Sequence, residues 1–238
     1  MKKPLSLIFS GLPHIAAIAV IVVCFMLAGW QFDRADEKRA LLRHWDNAPA
    51  AGLEQAEDHF SPYAKIHARG RFDARQQILL DNQVRNGQAG VHVFTPFVPA
   101  GQSRIWLVNR GWHALPSRHS SLPHIDAPQG DVEIFGRLTK PPRAGLQLGE
   151  IPPLDTRQWP NLMTWLDMDV VARALGRNLA AHVVLLDPDH PAHLTGDAWQ
   201  PITFTPERHL AYAWQWITMA VVVFLIWAGL SWKRFAKK

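Results

Sequence analysis

The sequence predicts a membrane protein of the α+β class, with two transmembrane helices flanking a strand-rich, curled or barrel-like extracytoplasmic domain. Three observations predict it. Residues 210–232 carry no Asp, Glu, Lys or Arg over 23 positions, and about 20 apolar residues suffice to cross a bilayer as a helix. Residues 5–32 are likewise free of formal charge. Between these runs, apolar residues repeatedly alternate with polar ones, which is the period of a half-buried strand.

The elements follow in order. Residues 1–11 form a tail that carries Lys2 and Lys3. Gly11 and Pro13 mark an irregular start, and the first span covers residues 12–32. This run is long for the apolar core of a signal peptide. Its exit, Met26-Leu-Ala-Gly-Trp-Gln-Phe32, has no small-x-small cleavage site, so an uncleaved anchor is expected. Residues 33–45 continue the helix with mixed charge, and Pro49 ends it. Ile66, Ala68, Gly70 and Phe72 alternate with Lys65, His67, Arg69 and Arg71, which gives a strand. Residues 78–80 give another, and Asn86-Gly87 is a turn signal. Val91-His-Val-Phe-Thr95 alternates again, with Pro96 ending that strand or confining it to an edge. Residues 104–109 form an apolar strand running into Arg110-Gly-Trp112, and residues 131–138 form the next. A Pro/Gly-rich connection starts at Lys140. Asp167 or Asp169 caps one short helix, which Gly176 closes. Residues 179–186 make the last buried strand, and residues 187–193 a loop. The domain at 33–205 is large enough to bury its own core. The second span occupies 206–232, with Thr205 as its cap and Pro206 in its first turn. A basic tail at 233–238 closes the chain.

Charge sets the topology. The net charge is +5 and the pI about 9.7. Lys2, Lys3, Lys233, Arg234, Lys237 and Lys238 sit in tails without acids, leaving 19 Lys and Arg against 20 Asp and Glu. Basic ends on a near-neutral body read as cytoplasmic flanks of membrane spans. They place the domain in the periplasm or an equivalent compartment. No concentrated basic face remains for nucleic acid. The single cysteine, Cys24, lies in the first apolar run and reads as a small residue facing lipid or a helix neighbour.

At the mouth of the second span, His209, Tyr212 and Trp216 follow at spacings of three and four, so they share one helix face. Trp30 lies at the same depth on the first span. Gln31 and Gln215 lie at comparable depths and are expected to hydrogen-bond across the two helices. Nothing in the sequence points to an enzyme. There is no Gly-x-Ser-x-Gly elbow, no cysteine outside the span and no Gly-rich phosphate loop. The cluster Asp187-Pro-Asp-His190 with His193 is a weak candidate for a metal or a hydrolytic site, and His119 and His124 are weaker still.

Four stretches resemble the surfeit-locus cytochrome oxidase assembly family of the Surf and Shy type. They are Gly29-Trp-Gln-Phe-Asp-Arg34 with Lys38; Gly70-Arg-Phe72 with Asn86-Gly-Gln-Ala-Gly-Val-His-Val-Phe-Thr-Pro96; Val108-Asn-Arg-Gly-Trp112 with Gly136-Arg-Leu138; and His209-Leu-Ala-Tyr-Ala-Trp-Gln-Trp216. Their order and the two-span layout agree over nearly the whole chain. His113 departs from the pattern, since relatives usually carry an aliphatic residue there. The resemblance implies a bacterial inner-membrane protein with both termini cytoplasmic, a non-enzymatic factor in the biogenesis of haem–copper oxidases. It implies haem a as the bound group, with His209 as an axial ligand to the iron. Tyr212, Trp216 and Trp30 would wall the ring, and Arg110 would clamp a propionate or serve as a structural arginine at a strand end. The implied partners are the oxidase catalytic subunit, haem a synthase and the lipid bilayer. Two other readings stand beside this one: a cofactor-free scaffold for the catalytic subunit, and an anchored periplasmic hydrolase using Asp187, Asp189 and His190.

Overall fold

The first apolar run becomes one helix, α1, from Pro4 to Asp46. This corrects the expected irregular start at Gly11 and Pro13, because Pro13 lies inside the helix. Proline removes one i→i−4 bond but keeps a helical φ, and in a long apolar helix the remaining bonds hold. A computed structural model describes residues 4–115, 122–142, 152–196 and 198–235. His119, most of the connection after Lys140 and the extreme tails lie outside them. The chain divides into a sheet unit, residues 45–199, and a helical unit made of residues 1–44 and 200–238.

In the sheet unit, β1 (Ala50–Ala51) and a short helix α2 (Leu53–Asp58) precede β2 (Lys65–Phe72). β3 (Ile78–Arg85) and β4 (Gln88–Pro99) form a hairpin at Asn86-Gly87, where both residues have positive φ, 50° and 77°. β5 (Ile105–Ala114), β6 (Val132–Thr139) and β7 (Asn161–Met163) follow. Helix α3 (Met168–Leu175) leads into β8 (Leu179–Leu186). Asp167 Oδ1 accepts from the amides of Asp169 and Val170 at 3.0 Å, and Gly176 closes the helix at φ 62°. The sequence signals at both ends therefore act as expected.

Among the described residues, eight strands form one mixed sheet in the order β1-β2-β6-β8-β5-β4-β3-β7. β2 also pairs with β4, through Gly70–Phe72 against Phe97–Pro99. The pairings β2-β6-β8-β5-β4 thus return to β2. Trp106, Phe97, Val108, Ile134, Leu138, Val184 and Leu186 fill one buried cluster, and Phe94, Ile78, Leu107 and Val183 belong to a second. β4 corrects the expectation for Pro96, since the strand runs through it and pairs on both sides. On one side β3 ends at Phe94 and β2 begins at Phe97, while the Pro96 carbonyl accepts from Asp73 N at 2.8 Å. The missing N–H of proline falls in the gap between two partner strands, where no ladder bond is lost.

In the helical unit, α4 spans Pro206–Phe235 and starts at the expected proline. It lies against α1 along small residues. Cys24 and Ala28 on α1 and Ala213 and Ala220 on α4 are buried, and side-chain bonds join Gln31 to His209 and His14 to Trp227 across the pair. Cys24 thus faces a helix neighbour. Both helices are long and apolar enough to cross a membrane. Ile15, Ile18, Phe25, Phe224, Leu225 and Ile226 all point outward and exposed, an apolar surface that needs a non-aqueous cover.

Candidate functional site

His209 lies in the first turn of α4, and its half-buried imidazole meets α1. Its Nδ1 lies 2.7 Å from Gln31 Oε1. With the amide oxygen as acceptor, Nδ1 carries the proton, and Nε2 keeps the lone pair that a metal takes. This is the arrangement expected of a ligating histidine, whose second nitrogen is held by an oriented acceptor. Gln31 was expected to pair with Gln215. It faces His209 instead, and Gln215 is exposed. The register between the helices decides this.

Phe204 completes the setting. Its ring meets His209 edge to face, with centroids 4.9 Å apart. It also stacks on Tyr212 at 6.0 Å and 16°. Phe204 precedes the cap position of α4 and His209 is the fourth residue of the helix, which is the spacing of a hydrophobic staple. That spacing is a sequence signal that could have singled out Phe204. Arg208 lies over the other part of this cluster, with Cζ 5.4 Å from the Phe204 ring. Tyr212 is 44% exposed and Trp216 half-buried, on the face that also carries His209. Trp30, next to Gln31, is exposed, and the Arg34 guanidinium sits 5.7 Å from its ring. On the following turn Phe32 meets Trp214 edge to face at 6.2 Å. The cluster joins one imidazole with an open nitrogen to flat aromatic walls, which suits a planar metallomacrocycle.

Arg110 is a correction. It lies in β5 of the sheet unit and is 2% exposed. Its Nε donates to the Ala192 carbonyl at 2.9 Å and its Nη2 to the Asp126 carbonyl at 2.6 Å. Phe72 lies under it, the guanidinium 5.8 Å from the ring. Burial pushes its pKa down to about 10, against the pull of Asp126. A guanidinium enclosed in this way holds chain segments together and is not presented to a propionate. The rest of its motif does the same. The side chain of Asn109 accepts from Gly111 N at 3.0 Å and reaches His92 Nδ1 at 3.3 Å. Leu194 N donates to the Arg110 carbonyl, and Trp112 N to the Thr195 carbonyl. Asn109-Arg-Gly-Trp112 therefore docks residues 192–196 against β5.

The loop after β8 is committed to its own turn. His190 Nδ1 accepts from Ala192 N at 3.0 Å, and its Nε2 meets the Glu133 carbonyl at 2.8 Å. Asp187 accepts from Asp189 N. Both imidazole nitrogens of His190 are engaged in contacts of this loop and β6. His124 pairs with Asp126 in the open.

Three findings link the chain to known proteins. The sequence model of the SURF1 family matches residues 18–221, which include Gln31, the sheet unit and His209. A SURF1-like protein of Monosiga brevicollis is 28% identical over 233 residues, 90% of this chain and 86% of its own length. The cytochrome oxidase assembly protein SHY1 of Saccharomyces cerevisiae is 25% identical over 190 residues. That match takes in 73% of this chain and 46% of the yeast protein.

Proposed function

The chain belongs to the SURF1 family, and from that premise we propose that it is a membrane-anchored assembly factor for a haem–copper cytochrome oxidase that holds haem a through His209. The name of the yeast relative supports the assembly role. The observation that carries the haem reading is the bond from His209 Nδ1 to Gln31, which leaves Nε2 open beside Phe204 and Tyr212. Tyr212 and Trp216, with Trp30 on the neighbouring helix, supply aromatic walls. In this reading α1 and α4 span the bacterial inner membrane, both termini are cytoplasmic, and the sheet unit is periplasmic. The haem is cargo rather than a catalytic group, arriving from haem a synthase and leaving to the oxidase catalytic subunit. Such a carrier works by differential affinity, binding free haem yet yielding it to a tighter destination.

The test is an absorption spectrum of the full-length protein purified from cells that make haem a. A Soret band is expected, and it is lost in His209→Ala. Gln31→Leu keeps the ligand but removes its orienting partner, and its haem affinity falls about 10–100-fold. Full haem content in His209→Ala overturns the proposal and favours a cofactor-free scaffold.

A further inference from the structure

The other end of the helix pair holds a polar contact that the haem reading does not use. Trp227 Nε1 on α4 donates to His14 Nδ1 on α1 at 2.8 Å, the rings meeting edge to face with centroids 5.9 Å apart. Trp227 lies 18 residues beyond His209, about 27 Å along the helix. The pair borders a groove of about 210 Å³ between α1 and α4, walled by Ala17, Ile226 and Leu230 and reaching Ser231.

The groove has two chemistries. Its walls are apolar. At its end, His14 accepts the indole proton on Nδ1, so the neutral ring carries its own proton on Nε2 as a donor. Ser231 adds a hydroxyl, and Lys233 is exposed just past it. Lys2 and Lys3 precede α1, while Arg234, Lys237 and Lys238 follow Lys233, and neither tail holds an acid. Of these, Lys233 lies in the last turn of α4, at the end that carries the groove. An apolar slot that opens onto donors and unopposed positive charge matches an amphiphilic anion. Its volume is below the roughly 300 Å³ of sites that enclose a whole small molecule, so it takes a segment of chain.

We infer that this groove binds an anionic phospholipid, with part of one acyl chain between the helices and the phosphate at His14, Ser231 and Lys233. The inference rests on the reading that α1 and α4 span a membrane.

The test reconstitutes the full-length protein in phosphatidylcholine vesicles with phosphatidylglycerol as the minor lipid. The protein is then extracted in mild detergent, and the retained lipid is identified by mass spectrometry. Phosphatidylglycerol is expected to be enriched over its share of the vesicle. Ala17→Phe, which fills the slot, and Lys233→Glu, which reverses the charge at its mouth, each lower that retention about tenfold, as 1.4 kcal/mol of binding gives. The Soret band that depends on His209 stays unchanged in both. Lys233 is exposed, so Lys233→Glu reads the site even if Ala17→Phe fails to fold. Retention at the vesicle ratio, equal retention in Lys233→Glu, or retention of a neutral isoprenoid in place of phosphatidylglycerol overturns the inference. Alkaline carbonate separates the two readings. Protein that resists extraction yet shows no enrichment sinks the lipid site alone. Protein released by carbonate sinks the membrane reading and this site with it.

Discussion

Gly111 meets two constraints at once. Its φ is +105°, a region that residues with a Cβ rarely adopt, and an added Cβ would lie 3.1 Å from His193 Cε1. Gly111→Ala should therefore destabilise the protein by about 2 kcal/mol, read as a fall of about 4–8 °C in the melting midpoint of the full-length protein. Adding His193→Ala relieves the steric part only, so the double variant should recover part of the loss. Full recovery would show that the backbone angle costs nothing. A glycine at 111 is compatible with positive φ or close approach, but the imidazole that approaches it is not legible in the sequence, since His193 is 82 residues further on. His209 and Tyr212 were legible as a shared face from their spacing alone. Gln31 was legible as a costly amide that needs a partner, but its choice of His209 depends on how far one helix slides along the other. Arg110 shows the converse. A strand-end arginine reads the same whether it meets solvent or a buried carbonyl, and only the fold places Ala192 and Asp126 around it.

Elements bounded by local chemistry were read most fully. Helix α3 is the clearest, with Asp167 at its start and Gly176 at its end. Asp167→Ala leaves two amides without their acceptor and should cost about 1 kcal/mol, while Asp167→Ser should keep most of the stability. Urea midpoints of the two variants check this, and equal midpoints would mean that the cap contributes nothing. β4 was misread because Pro96 was judged by its own strand. A proline in a sheet is excluded by a neighbour that needs its N–H, and here the neighbour changes from β3 to β2 at that position. The short elements β1, α2 and β7 carry too few residues to show a period, and they exist because tertiary partners hold them, Leu53 and Ala56 of α2 being buried in the core cluster. β1 and β7, for instance, are parallel additions to β2 and β3.

At the scale of the whole molecule, the division into a helical pair and a sheet unit followed from composition, because long uncharged runs and alternating segments bury their apolar faces differently. A curled sheet was expected, but its return through a β2–β4 pairing was not legible, since pairing between strands distant in sequence leaves no local mark. The sheet unit encloses histidines whose titration contributes to its stability. Burial lowers the pKa of His92 and of His182. His193 is lowered too, by burial first, with His190 and Arg110 adding to the effect and Leu194 and Asp187 opposing it. His92 and His193 both meet Trp199 edge to face, at 5.7 and 5.8 Å. An unfolded chain protonates its histidines at a pH of about 6.5, before these folded rings do. As pH falls below that value, the unfolded state binds more protons than the folded one, and stability declines until the folded rings also titrate. The urea midpoint of the full-length protein in detergent should therefore be lower at pH 5.5 than at pH 7.5. Replacing His92 with Gln removes one of the three contributions and should make the drop smaller. A midpoint that is unchanged or rises on acidification would mean that these rings stay wet in the folded protein.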